Sequence, residues 1–443
     1  MDRSESSHLS IWIVNPFDDI PGEGLPPLRY WSLARVLAGR GHDVTWWTAS
    51  WSHRRKAART TPLAIRDEEG FAVRLVAVRP YEKNVSLARL ASHRDFGRTF
   101  ERLANESVAC GKLDRPDLIL ASLPPLEGPE AACRLARRLD AALVVDLMDA
   151  WPETFARLVP GPQWLKDRLA PLFFGRMVAR RQAVLAAADA VSSCSRSYLD
   201  LMADGLGDDR PRHVCHHGAW LPEFPPPPRL VDHVPVAGET AGDAAGSAAA
   251  APLACVYAGT LESGQDLDTL LAAARLLSAR GVAATLHVAG TGRLEAGLRS
   301  AAASSGGSCT VRVHGLLDRG GYVRLLSECD VGLVLVKPES LVAVPYKACD
   351  YAAAGLALVN PLPGELAELV ETHRAGLAYT AGSGDSLARV IASLASDRNL
   401  LLQMRLGARR LAEAEFDREK TYTRFADWLE GISRTDQGAE SAG

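Results

Sequence analysis

Short apolar runs alternate with stretches of helical spacing along this chain, and the pattern starts over once. Ser10–Pro16 reads as a buried first strand, Asp18–Pro27 as a Pro/Gly-rich loop, and Leu28–Arg40 as a helix with one apolar face. Gly41 ends that helix and Asp43–Thr48 forms a second strand, which gives a βαβ opening. Val73–Val78, Leu118–Ala121, Ala142–Leu147, Ala190–Ser195 and Arg212–His216 follow as further strands, with helices between most of them. The composition then shifts. Pro222–Ala251 holds four consecutive prolines and an Ala/Gly/Asp-rich tract, too poor in large apolar residues to pack, and reads as a linker with a mobile insertion near Glu239–Ala250.

A second α/β pattern begins with the strand Ala254–Tyr257 and the helix Asp268–Arg280. It continues as strand Ala284–Ala289, helix Gly292–Ser304, strand Thr310–His314, helix Gly320–Glu328 and strand Val331–Val336. Glu415–Ile432 is an amphipathic helix with Tyr422, Phe425, Trp428, Leu429 and Ile432 on one face, a pattern of packing rather than of cofactor binding. The expected organisation is a first doubly wound domain at 1–221, a linker at 222–252 and a second domain at 253–414. A C-terminal helix at 415–434, expected to pack back on the first domain, and a disordered tail at 435–443 complete it. Ligands in such sheets bind at the carboxyl ends of the strands, so two facing domains predict a cleft with one substrate on each side.

Composition narrows the function classes. At 443 residues, 47% hydrophobic and 23% charged, the chain is an ordinary globular one, and its net charge of −3 gives no drive toward nucleic acid. The eight cysteines are scattered with no C-x-x-C pair, so reduced thiols are expected and neither a disulfide framework nor a zinc site. Met1–Ser10 is polar and no long uninterrupted apolar window occurs, which predicts a cytoplasmic protein.

Chemistry concentrates in residues 345–366. Lys347 and Asp350 open a short Ala-rich helix, and Gly355 leads into the apolar strand Leu356–Val359. Lys347 and backbone N–H groups suit a diphosphate, and the Asp350 carboxylate suits ribose hydroxyls. An ordinary helix start with a solvated lysine is the other reading of the same residues. Three glycine-marked turns follow strands: Gly259-Thr260-Leu261, Gly290-Thr291-Gly292 and Gly315-Leu316. None matches G-x-G-x-x-G, and neither does Gly22-Glu23-Gly24, which argues against a nicotinamide dehydrogenase; no P-loop motif is present. His216-His217 lacks a carboxylate cluster for a metal, and Asp266 and Asp268 sit where helix-capping aspartates are expected.

In order and spacing these pieces resemble glycosyltransferase family 4, which has the GT-B fold. The resemblance rests on Pro21-Gly-Glu-Gly24, Arg29, Arg40-Gly-His-Asp-Val44, Tyr257-Ala-Gly-Thr-Leu261, Val288-Ala-Gly-Thr-Gly292, Val313-His-Gly-Leu316, Pro345-x-Lys347 and Asp350-Tyr-x-Ala-x-Gly355. Asp149-Ala-Trp-Pro-Glu153 is similar to a bacterial branch of fucosamine-type surface-polysaccharide transferases, as is Gln265. The resemblance implies a metal-independent, retaining transfer from a nucleotide-diphosphate sugar that needs no cofactor, with UDP as the expected base-bearing group. The acceptor would be a polysaccharide, a lipid-linked sugar or a small molecule. Asp149 and Lys347 are the implied catalytic residues. Gly22, Gly24, Gly259, Thr260, Leu261, Gly290, Gly292, Leu316, Pro345, Tyr346, Lys347 and Asp350 are the implied donor-binding ones.

The chain departs from the family at three places. Val342 stands where many members have the first of two acids, the 262–265 loop lacks an Arg/Lys pair, and Asp149 takes the place of a histidine. A non-catalytic protein that binds a partner transferase, or a nucleotide-sugar epimerase of the same architecture, are the alternatives. Arg29 is left between phosphate binding and pairing with an acid, Asp146 reads as structural, and His42 as the close of a helix. Residues 162–181 mix apolar and basic side chains, which fits either contact with the inner membrane face or an ordinary surface helix.

Overall fold

The structure is a computed structural model that describes residues 8–24, 27–59, 64–66, 70–158, 163–203, 206–207, 209–225, 251–303 and 306–440. Most of the expected linker, including Glu239–Ala250, lies outside the described residues. Two compact units divide the chain: residues 1–216 with 420–443, and residues 217–419. The chain thus crosses between them twice, at 216/217 and 419/420, where the sequence reading placed the borders at 221 and 414. The border residues are tied together inside the second unit, where Ala219 N donates to Phe416 O and Arg418 N donates to Ala219 O.

The first unit contains β1 (Ser10–Val14), β2 (Asp43–Ala49), β3 (Trp51–Ser52), β4 (Ala57–Ala58) and β5 (Ala64–Arg66). It continues with β6 (Ala72–Val76), β7 (Leu118–Leu123), β8 (Ala142–Leu147), β9 (Ala190–Ser193) and β10 (Arg212–Val214). Its main sheet runs β10-β9-β8-β7-β1-β2-β6-β5, parallel except for the β5 edge. The strands β1, β7 and β8 are buried on both faces, which is why they read as continuous apolar runs rather than alternating ones. Arg29–Gly39 is the expected first helix.

The aromatic face of the C-terminal helix packs on this unit. Tyr422, Phe425, Ala426 and Leu429 share a core with Ile11, Ile13, Leu33 and Trp46, and Trp428 and Ile432 pack against it. That helix, Arg418–Glu440, runs past the expected end at 434 to Glu440, so most of the expected disordered tail is helical and only 441–443 lie outside the described residues. Ion pairs from Arg40 to Asp427 and Glu430, with His42 Nε2 3.0 Å from Glu430 Oε1, hold its outer side. His42 is therefore a packing residue.

Arg29 is settled as a structural cation. Its Nε and Nη2 meet the two Asp146 oxygens at 2.7 and 2.9 Å, with both side chains fully buried.

The second unit carries β11 (Leu253–Ala258), β12 (Ala284–Ala289), β13 (Cys309–Gly315), β14 (Val331–Leu333), β15 (Ala357–Asn360) and β16 (Gly376–Ala378). All its pairings are parallel and the order is β13-β12-β11-β14-β15-β16. This is a doubly wound sheet whose order reverses between β11 and β14, and that reversal opens a crevice at the carboxyl ends of the strands.

Candidate functional site

In the second unit the three glycine turns come together above that crevice. Gly259 N donates to Ala289 O at 2.9 Å, Leu261 N to Thr291 O at 2.9 Å, and Gly290 N to Gly315 O at 2.7 Å. Glycine is required by geometry here. A Cβ at Gly290 would lie 1.8 Å from Gly259 O and one at Gly292 would lie 2.5 Å from Leu261 O, both at positive φ. The same hydrogen bonds correct one expectation. The N–H groups of Gly259 and Leu261 are already used, so within that turn only the Thr260 N–H lacks an acceptor among the described residues. Leu261 is buried in the core, while Leu316 turns its side chain out at 76% exposure.

Lys347 sits under the first turn. It belongs to the helix Tyr346–Ala353, which Pro345 opens in an extended conformation. Its Nζ lies 4.0 Å from the Tyr257 ring centroid and 2.9 Å from where a side chain at position 259 would begin. Tyr257 is held by its hydroxyl, which donates toward Thr260 O and Gln265 Oε1, both at 2.9 Å. No carboxylate pairs with Lys347 among the described residues, and burial pushes its ammonium down to about 7. The ring of Tyr346 stacks on His217 with centroids 3.7 Å apart, a contact that no local pattern in the chain signals.

Asp350, one helical turn on, is already engaged. Its Oδ2 accepts from Tyr322 Oη at 3.1 Å and Arg319 Nη1 at 3.3 Å, and Arg319 also pairs with Glu223. Its Oδ1 has no hydrogen bond among the described residues. Burial raises the Asp350 carboxyl against the opposing pull of Arg319 and Arg418. Periodicity could not reveal Arg319, because it reaches Asp350 from another helix. Glu262, in the loop that lacks an Arg/Lys pair, binds Arg293 at 2.7 Å, so a cation does stand at that loop from the next turn. Val342 is 39% exposed.

The first unit holds the remaining candidates. Gly22 and Gly24 adopt φ of +83° and +71° in a loop whose Glu23 carboxylate is bound by Arg55 and Arg59. Asp149 follows β8, with its carbonyl accepting from Trp151 N at 2.8 Å, and its charge acts on Arg89. Among the described residues no group of three or more His, Cys, Asp or Glu could hold a metal ion. No described helix is long and apolar enough to cross a membrane.

Comparison with known proteins separates the two units in the same way. Residues 28–218 match the family model "Glycosyl transferase 4-like domain" and residues 252–397 match "Glycosyl transferases group 1". Both halves match glycosyltransferase domains. A curated relative, the amylovoran biosynthesis glycosyltransferase AmsK of Erwinia amylovora, is 25% identical over 185 residues. That match spans 41% of this chain and 46% of AmsK, less than half of the relative's length. Sucrose-phosphate synthase of Thermosynechococcus elongatus superposes with a TM-score of 0.70 at 15% identity, covering 97% of this chain and all of that one. Anabaena HepE in complex with UDP gives 0.64 at 15% identity, covering 96% and 100%. These likenesses establish the GT-B fold, two Rossmann-like α/β domains.

Proposed function

We propose that this protein is a retaining glycosyltransferase that moves a sugar from a UDP-linked donor to a polysaccharide, lipid-linked or small-molecule acceptor. The carrying observation is Lys347: a mostly buried ammonium with no acid partner among the described residues, placed at the switch point under glycine turns. A diphosphate supplies the missing counter-charge, and the Thr260 and Lys347 N–H groups, which have no acceptor among the described residues, supply further donors. Asp350 Oδ1 is the acceptor for ribose hydroxyls, with Arg319 and Tyr322 fixing the carboxylate. The glycosyltransferase domain matches and the UDP named with HepE support the same reading. Asp149, beside Arg89 on the first unit, is the proposed group for the acceptor side.

Calorimetric titration with UDP, GDP, ADP and dTDP tests the donor. UDP should bind most tightly, and Asp350→Ala should weaken it about 10- to 100-fold, the worth of a charge-assisted hydrogen bond. Binding of none of the four would instead favour the non-catalytic reading that Val342 raises.

A peripheral membrane contact is part of the proposal. Leu172 and Phe173 are 79% and 65% exposed on the helix Gln163–Ala187. Beside them a cavity of about 520 Å³ is lined by Arg94, Arg98 and Arg176, none of which forms an ion pair among the described residues. Flotation with anionic vesicles should occur at low salt and fade as salt rises. Equal behaviour with neutral vesicles would remove this part of the reading.

A further inference from the structure

At the carboxyl end of the first unit's sheet lies a basic cluster that the donor site does not use. The Arg89 guanidinium lies between two rings, 5.4 Å from the Phe17 centroid and 5.3 Å from that of Trp151. Its Nε points at His93 Nε2 at 3.3 Å, and Nη1 donates to the Asn84 carbonyl at 2.7 Å. Lys56 lies 4.7 Å from the Tyr81 ring centroid, 3.3 Å from His53 Nδ1, and donates to Asn84 Oδ1. His53 Nδ1 in turn meets the Tyr81 hydroxyl at 2.6 Å. Four basic side chains are thus joined through rings and amides.

Among the described residues no acid forms an ion pair with this cluster. The neighbouring cations have one each, Arg54 with Asp19 and both Arg55 and Arg59 with Glu23. Lys56 and Arg89 form no ion pair among the described residues, and the nearby charge of Asp149 is the one acid that reaches Arg89. His93 is 3% exposed, and its Nδ1 is buried with no hydrogen-bond partner among the described residues, beside a narrow cavity that Phe17, Trp51 and Tyr81 also line. Burial, with Arg89 adding to it, pushes both His53 and His93 down to about 3 and Lys56 to about 8. The histidines are therefore neutral, and the two cations stand in a desolvated field that favours an incoming anion.

We propose that this cluster is the recognition site for an oxyanion on the acceptor, the carboxylate of an acidic sugar or the phosphate of a phosphorylated one. Arg89 Nη2, which makes no hydrogen bond among the described residues, donates to the oxyanion, while Lys56 adds a point charge. The rings of Phe17 and Trp151, which hold the guanidinium between them, fix its orientation. These side chains set acceptor specificity; the proposal rests on the transferase reading above.

The test uses the full chain saturated with UDP, so that the Lys347 site is occupied, titrated by calorimetry with glucuronate, inorganic pyrophosphate and glucose. At least one anion should bind and glucose should not. Arg89→Gln and Lys56→Gln should each weaken that anion tenfold or more, with UDP affinity and melting temperature unchanged; partly exposed Lys56 keeps the test open should Arg89→Gln fold poorly. Glucuronate without pyrophosphate assigns an acidic sugar, and pyrophosphate without glucuronate assigns a phosphorylated acceptor. Glucose binding as well as glucuronate, or anion affinity indifferent to both substitutions, overturns the proposal. Loss of anion binding in the variants of a protein that never bound UDP would sink the transferase reading and leave the oxyanion site standing.

Discussion

Asp146→Ala should destabilise the first unit by about 3–5 kcal/mol, the usual cost of leaving one buried charge of a pair without its partner. Asp146 Oδ2 accepts from Arg29 Nε and Tyr30 Oη, both at 2.7 Å, and Oδ1 accepts from Arg29 Nη2 at 2.9 Å and Ser192 Oγ at 2.7 Å. All four carboxylate interactions are lost together, and among the described residues the fully buried guanidinium keeps only the Cys215 carbonyl and the face of Phe425. A domain of this size has roughly 5–15 kcal/mol in total, so one substitution removes a large share. Every tryptophan except Trp220 lies in the first unit, so intrinsic fluorescence during urea unfolding reports on it selectively. Burial alone would raise the Asp146 carboxyl, but Arg29, Tyr30 and Ser192 hold it below the ordinary range. Its contribution is therefore present at neutral pH and lost only in acid, below the ordinary carboxylate range. Arg29→Met with Asp146→Leu should recover much of the loss, since removing both charges leaves no orphan. A single Asp146→Ala variant as stable as the parent would mean that the pair is not closed in solution.

The case of Arg29 shows what the sequence can and cannot carry. Its helix was legible from apolar spacing, and so were the buried strands on either side, because periodicity is a local property of the chain. Its partner lies 117 residues away, and nothing local says whether an arginine at a helix start meets a phosphate or a carboxylate. The donor site divides along the same line. The glycine turns and Lys347 were readable because they sit beside strands in recognisable order. That the Gly259 and Leu261 N–H groups are spent on neighbouring loops, and that Arg319 clamps Asp350, follows from how separate strands and helices meet. The basic cluster of the first unit was wholly missed. His53, Lys56, Arg89 and His93 come from a loop and a helix that carry no motif, and only the parallel sheet brings them to one edge.

Lys347→Ala should lower kcat/KM for the donor sugar about 10²- to 10³-fold, the size of effect found when a single preorganised group facing developing charge is removed. Lys347 is mostly buried against the Tyr257 ring with no acid beside it among the described residues, so in the free protein it is a cost to stability rather than a contribution. Lys347→Met, which keeps the stem and drops the charge, should therefore hold or raise the melting temperature while abolishing tight UDP binding. That opposition separates a binding lysine from a packing one. The pH dependence has a definite sign. With the free ammonium near 7 and the diphosphate favouring its charged form, the complex holds the proton to higher pH than the free protein does. Below about 7 both states are protonated and affinity is flat; above it, binding takes up a proton and weakens as pH rises. Calorimetry at pH 8 in buffers of different ionisation heat should register that uptake, and Lys347→Arg, charged throughout, should show none. UDP affinity flat from pH 6 to 9 in the parent protein would place the diphosphate away from Lys347.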